Sequence, residues 1–248
     1  MEKKYVFLSK SGRIVSNVFD LPRIGAGHDG IVYLYGDSVL KILKYDIKRR
    51  KEKDLMTFEK ANYFLTNLSL KRIAQPRDVI LNSDGVYVGY VMKYFEDITK
   101  SSDSCKHKTS GSFLLSDLYS TIIDLKSDFC ELTANQIMVN DINRGSYIVT
   151  NDFLTMCDMD KFRFCNSGNS PSDNNRRSLQ FFFAKWLFYE MEKSQSLDKD
   201  NLKVLMQWVK KCSNSCDFLD KIESDCLTNM ECSIGEYADH KMKQLIYK

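Results

Sequence analysis

Ile24-Gly-Ala-Gly-His-Asp-Gly-Ile-Val32, followed after a Gly36-Asp37 turn by Ser38-Val-Leu-Lys41, is the stretch on which the reading of this chain depends. Gly25, Gly27, Gly30 and Val32 match the spacing GxGxxGxV. In a dinucleotide-binding fold such a motif opens directly into a helix, with an acidic residue about 20 positions further on. Here the surroundings alternate with period two instead. Gly30 to Tyr35 and Ser38 to Leu43 read as antiparallel strands, and Gly36-Asp37 as the two-residue turn that joins them. Glycines between antiparallel strands let the backbone approach a bound group closely. Taken alone, the motif has a plainer reading as a Gly-rich turn, and Lys41 as an exposed edge residue.

Outward from this hairpin, Tyr5 to Leu8, Arg13 to Val18, Asp78 to Leu81 and Val86 to Met92 also alternate and read as short strands. One helix interrupts them. It is expected from about Lys48 to Leu68, with Leu55, Phe58, Ala61, Leu65 and Leu68 on one face. Near Phe95 the character changes. A polar loop at 101–111 precedes helical patterns at 113–128, 178–192, 198–211, 217–229 and 233–246. The expectation is an α+β architecture in one unit: a β-rich part over 1–95 carrying one long helix, and a helical part over 96–248.

Composition fits that expectation. A chain of 248 residues, 43% hydrophobic and 28% charged, with only 11 Gly and 3 Pro, can bury a large core; this excludes disordered, collagen-like and disulfide mini-protein classes. The longest apolar run, Leu179 to Met191, is broken by Gln180, Lys185 and Glu190 and falls short of the ~20 residues a membrane span needs. With no apolar core at the start either, a cytoplasmic protein without membrane contact is expected. The eight cysteines contain no CxxC pair, and buried reduced thiols are the expected state. Net charge is +3, with the basic surplus in residues 1–100 and its densest piece at Lys48-Arg-Arg-Lys-Glu-Lys53. Such a run is ordinarily a solvated helix face, so nucleic acid is not an expected partner.

Lys41, if it points inward, needs an anionic partner. Glu59 on the following helix is the expected one; Glu52 has little chain in which to return. In the second part, Val139-Asn-Asp-Ile-Asn-Arg-Gly-Ser-Tyr-Ile-Val149 is followed by Leu154-Thr-Met-Cys-Asp-Met-Asp160. An aspartate in a loop, a short strand at Tyr147 to Val149, a turn at Asn151-Asp152 and a strand ending in Asp158 would bring Asp141 and Asp158 beside one substrate. One carboxylate could accept a hydroxyl proton and the other carry magnesium. Singly, each reads as a turn or capping residue.

In this order the motifs resemble the eukaryotic-like Ser/Thr protein kinase superfamily, particularly compact, divergent bacterial members, over roughly residues 20–192. The resemblance implies a bilobal protein-kinase-like fold that binds ATP and Mg2+ and phosphorylates a Ser or Thr hydroxyl of a protein substrate. It implies that Gly25, Gly27 and Gly30 cover the phosphates, that Lys41 holds them, and that Glu59 orients Lys41. Ile24, Val32 and Val39 would line the adenine pocket, with Met92 as gatekeeper and Lys93 to Phe95 as the hinge. Asp141 would be the catalytic-loop base and Asp158 the metal ligand. The departures are specific. Val139-Asn140 replaces the His-Arg that precedes the base, Ser146 replaces the Asn that holds a second metal, and Asp-Met-Asp replaces Asp-Phe-Gly, so that Asp160 adds a carboxylate. No Ala-Pro-Glu motif follows. Two further readings therefore stand beside the kinase: a pseudokinase that binds nucleotide without transfer, and a small-molecule kinase resembling aminoglycoside or choline phosphotransferases. The acceptor would be chosen by loops 100–112 and 161–178.

Overall fold

The structure is a computed structural model that describes residues 5–9, 12–16, 18–27, 29–44, 56–82, 84–97, 110–140, 142, 146–165, 170–194, 197–215 and 217–246, with backbone alone over 5–16 and at 194. An antiparallel sheet occupies the N-terminal part and helices follow. Its strands are β1 (Tyr5–Ser9), β2 (Gly12–Ser16), β3 (Arg23–Ala26), β4 (Gly30–Tyr35), β5 (Ser38–Leu43), β6 (Asp78–Asn82) and β7 (Tyr87–Lys93). They lie in the order β2-β1-β6-β7-β5-β4-β3, each neighbour antiparallel. The β4–β5 hairpin has the expected bounds. Tyr35 pairs with Ser38, and Gly36 takes the left-handed φ of 58° that a two-residue hairpin turn requires.

Residues opposite one another in antiparallel strands point to the same face, so the pairing sorts the sheet's side chains. Val39, Lys41, Tyr90 and Met92 face the helical part. Val39, Tyr90 and Met92 belong to a core that continues through Leu118, Phe153 and Trp186. Tyr33, Leu40, Ile42 and Ile80 face away and close a small second core with Val18.

The helix crossing the sheet is shorter than expected. Residues 48–55 lie outside the described residues, but Met56 and Thr57 are not helical, and α1 runs from Phe58 to Asn67. Thr57 fixes that start because its hydroxyl accepts the Lys60 amide at 3.3 Å, as an N-cap does. Beyond the sheet come α2 (Leu115–Ala134), β8 (Ile137–Met138), β9 (Tyr147–Thr150), β10 (Phe153–Met156), β11 (Arg163–Phe164), α3 (Ser172–Ser194), α4 (Lys199–Asn214), α5 (Phe218–Thr228) and α6 (Ile234–Ile246). The five helices of the C-terminal part match the expected patterns, with α2 extending further toward its C-terminus and α3 starting earlier.

Carboxylates of α2 dock the segment after α1. Asp128 accepts the amides of Lys71 and Arg72 at 2.9 and 2.8 Å, Asp124 accepts Arg72 Nε at 3.0 Å, and Glu131 accepts the Ser69 amide at 2.6 Å. The docked segment then pairs with the end of β10. The Met156 amide donates to the Arg72 carbonyl and the Ala74 amide to the Met156 carbonyl, both at 2.7 Å. Residues 157–160 therefore leave from an anchored base, directly under the sheet face that carries Lys41. Among the described residues, no helix is long and apolar enough to cross a membrane.

Candidate functional site

Gly25, Val32, Lys41, Tyr90 and Val79 form one row across β3, β4, β5, β7 and β6. Lys41 is buried, its side chain 10% exposed, and is not an exposed edge residue. Its ammonium lies 2.5 Å from Asp160 Oδ2 and 3.3 Å from Asp158 Oδ1, an ion-pair arrangement that joins residues more than a hundred positions apart. Burial alone would lower the Lys41 pKa; Asp160, and after it Asp158, more than reverse this and hold it above its ordinary value.

Asp160 is 2% exposed, and the Lys41 ammonium is the ion-pair partner of its Oδ2. Its Oδ1 accepts the Tyr90 hydroxyl at 2.5 Å, its amide donates to Asp158 Oδ1 at 3.2 Å, and its carbonyl accepts Lys60 Nζ from α1 at 2.5 Å. Burial, then the neighbouring Asp160 carboxylate, pushes the Tyr90 phenol well above its ordinary pKa, so it remains a donor. Asp158 is more open, its side chain 40% exposed. Its pKa is raised above the ordinary 3.8, chiefly by burial, with Lys41 opposing and Asp160 adding to the rise.

Glu59 does not meet Lys41; it is a surface residue in the first turn of α1. At about 100° per residue, the face of α1 that turns inward through Lys60, Ala61 and Phe64 leaves Glu59 on the outer side. Of the two neighbours, the buried one is Lys60. An acidic side chain in the first turn also suits the positive end of a helix, which accounts for Glu59 without any role in the cleft.

The glycine-rich segment folds over this cluster. The Gly27 amide donates to the Gly30 carbonyl at 2.9 Å, while Lys44 donates from its amide to Asp29 O at 3.0 Å and from its Nζ to Gly27 O at 2.8 Å. A Cβ at Gly27 would meet nothing within 4 Å, so the loop tip is open to an incoming group. Gly30 also meets a steric limit within the sheet. A Cβ there would lie 2.7 Å from the Ile42 carbonyl, so the sheet itself requires this glycine. Gly89 has the same role beside Lys41, where a Cβ would lie 2.1 Å from the Lys41 carbonyl. An isolated glycine inside a strand pattern is the sequence sign of such a close approach.

Asp29 brings a third carboxylate. One oxygen from each of Asp29, Asp158 and Asp160 lies within 4.8 Å of the others, the only such group among the described residues. An all-oxygen donor set suits a hard divalent cation such as magnesium. Cys212 and Cys226 are buried in helices, where burial holds each thiol near pKa 12, as expected of reduced structural thiols.

Asp141 lies outside the described residues. The segment leading to it is held by Asn175 of α3, which sequence reading did not single out. Asn175 accepts the Val139 amide at 2.8 Å and donates to Ile137 O at 2.8 Å and to Thr133 Oγ1 at 2.9 Å. Asn174 and Ser178 both donate to Val139 O. Asn140 donates at 3.4 Å to Met138 O and at 3.3 Å to Lys161 O, linking this segment to the residue after Asp160. Ser146 is buried, and its carbonyl accepts the Cys157 amide at 2.9 Å. Of the expected adenine contacts, Val39 and Met92 are paired neighbours on the inward face and Val32 is half-buried. Ile24 is 47% exposed at the sheet edge. Lys93 is exposed, with its ammonium 5.1 Å from the Phe95 ring centroid. Compared with protein-family models and with curated protein sequences, the chain matches none.

Proposed function

We propose that this chain is an ATP- and Mg2+-dependent phosphotransferase of bilobal protein-kinase-like fold, which phosphorylates a Ser or Thr hydroxyl on a protein. The observation that carries the reading is the meeting of Lys41 with Asp158 beneath a glycine-rich hairpin: a cation and a carboxylate, from opposite halves of the chain, 3.3 Å apart. Phosphoryl transfer depends mainly on positioning and on charge neutralisation, and these groups supply both. Amides of the Gly25–Gly27 segment would bind phosphate oxygens, and Lys41 would hold the α- and β-phosphates. Val39 and Met92 would form the apolar floor for the base. Asp158, with Asp29, would hold magnesium, which supplies neutralisation of phosphate charge when bound. The Asp141 carboxylate would accept the acceptor hydroxyl's proton, on a segment oriented through Asn175.

Incubation with γ-labelled ATP and magnesium tests this reading. Label is expected on the protein or on a generic protein substrate, and Lys41→Ala and Asp158→Asn should each reduce it to background. Near-wild-type turnover in either variant overturns the assignment. A second reading, a pseudokinase, is favoured by one observation: Ser146, where a carboxamide would hold a second metal, is buried and offers a neutral hydroxyl at most. That reading is supported if a fluorescent ATP analogue binds while neither label transfer nor ADP is detected.

A further inference from the structure

We propose that Asp160, and no residue of α1, is the positioning partner of Lys41, and that α1 joins the cleft through Lys60 instead. This rests on the reading above that Lys41 holds nucleotide phosphates. Three features of the cleft assign the roles. The first is proximity with burial. The Lys41 ammonium is closer to Asp160, at 2.5 Å, than to Asp158, at 3.3 Å, and Asp160 is the buried member of the pair. A carboxylate enclosed this way holds its partner in one geometry, whereas an exposed one trades it for water.

The second is the support around Asp160. Tyr90, directly opposite Lys41 in the β5–β7 register, donates to its other carboxylate oxygen, and the Lys60 and Asp158 contacts fix its main chain. Such surrounding contacts are what hold a functional group to a fixed position. The third is the division between the two aspartates. Asp158 Oδ1 takes the Lys41 and Asp160-amide contacts, while Oδ2 has no described protein partner and sits on the more open residue. Asp160 thus fixes the lysine and leaves Asp158 an oxygen for the metal.

The consequence is specific. Lys41 and the metal ligand are set by one three-residue segment, 158–160, so the grip on phosphate does not depend on a carboxylate swinging in on α1. Lys60 ties α1 to that segment through the Asp160 carbonyl, with its ammonium also 5.8 Å from the Phe64 ring centroid.

The test reads Lys41 directly. In a protein labelled with 15N at lysine, an ammonium held by a buried carboxylate gives a resolved Nζ–H cross-peak, assigned to Lys41 by its loss in Lys41→Arg. The peak is expected in wild type and unchanged in Glu59→Gln, and lost or displaced in Asp160→Asn. If Asp160→Asn does not fold, Tyr90→Phe, which frees one carboxylate oxygen, should displace it. A peak missing from wild type, unmoved in the Asp160 or Tyr90 variant, or lost in Glu59→Gln overturns the proposal.

A second arm measures binding of trinitrophenyl-ATP with magnesium. Asp160→Asn should weaken it about tenfold, and adding Lys60→Glu, which moves a carboxylate onto α1, should recover most of that loss. No recovery in a folded double variant counts against the proposal. Should wild type bind no nucleotide, the phosphotransferase reading fails, and the cross-peak alone decides whether Asp160 holds Lys41.

Discussion

Asp128 and Asp160 are the two buried aspartates among the described residues, and they are satisfied in opposite ways. Asp128, on α2, accepts two adjacent main-chain amides, those of Lys71 and Arg72, and so docks the segment after α1. Its partners are part of the backbone, and no ligand can take their place. Asp160, under the sheet, is held mainly by the tips of side chains, Lys41 and Tyr90, and shares its surroundings with the carboxylates of Asp158 and Asp29. A cluster of like charges around a buried lysine opposes folding, and such arrangements concentrate where a protein binds or reacts. One carboxylate therefore holds the architecture, and the other holds the Lys41 cluster together.

The contrast can be broken experimentally. Asp128→Ala leaves two part-buried amides without their acceptor at once, and a loss of about 3 kcal/mol is expected from urea unfolding. Asp128→Asn, which keeps acceptor capacity, should lose roughly half of that. Removing Asn175, which makes two buried contacts from α3 to the Ile137–Val139 segment and a third to Thr133 of α2, should cost about 2 kcal/mol in Asn175→Leu. Asp160→Asn should behave unlike either. It weakens one ion pair but relieves repulsion from two neighbouring carboxylates, so a change within about 1 kcal/mol is expected, with its effect appearing in the cleft. A loss from Asp160→Asn as large as that from Asp128→Ala would erase the distinction.

The smallest effect is in pH dependence, where two carboxylates should run in opposite directions. The Asp128 pKa is raised above 3.8, by burial first, despite its two amide donors. A raised carboxylate binds its proton more tightly folded than unfolded. Its titration therefore favours folding most below 3.8, and that contribution is lost as pH rises through the folded value. Asp225 is the reverse. Partial burial would raise it, but Lys241 at 2.7 Å and the Tyr237 hydroxyl at 2.8 Å lower it below 3.8. Its contribution is present above 3.8 and lost as pH falls through the folded value. As pH is lowered, wild type should gain on Asp128→Asn at pH values above 3.8 and lose ground to Asp225→Asn only below it. Urea midpoints across pH measure both.

What could be read from the sequence was local. The Gly30–Leu43 hairpin, the turn at Asn151-Asp152 and the helices of the second part follow from alternation, turn chemistry and helical period, all properties of neighbouring residues. The helix before β6 begins at Phe58 behind the Thr57 cap, and Lys60, not Glu59, is its buried charged residue beside the 158–160 segment. That the sheet itself requires glycine at position 30 is not legible in the motif, because the steric limit is set by the Ile42 carbonyl of another strand.

The partner of Lys41 was beyond any local rule. Asp160, Tyr90 and Lys60 come from β10's exit, β7 and α1, and nothing in their spacing says which carboxylate an ammonium will choose. The sequence by itself determined the order of elements and the kinds of charged groups available, since periodicity and turn preference act over a few residues. Only the tertiary structure decided which of those groups meet, because a choice between Glu59, Asp158 and Asp160 turns on helical phase, strand register and burial, and these are fixed when distant segments pack together.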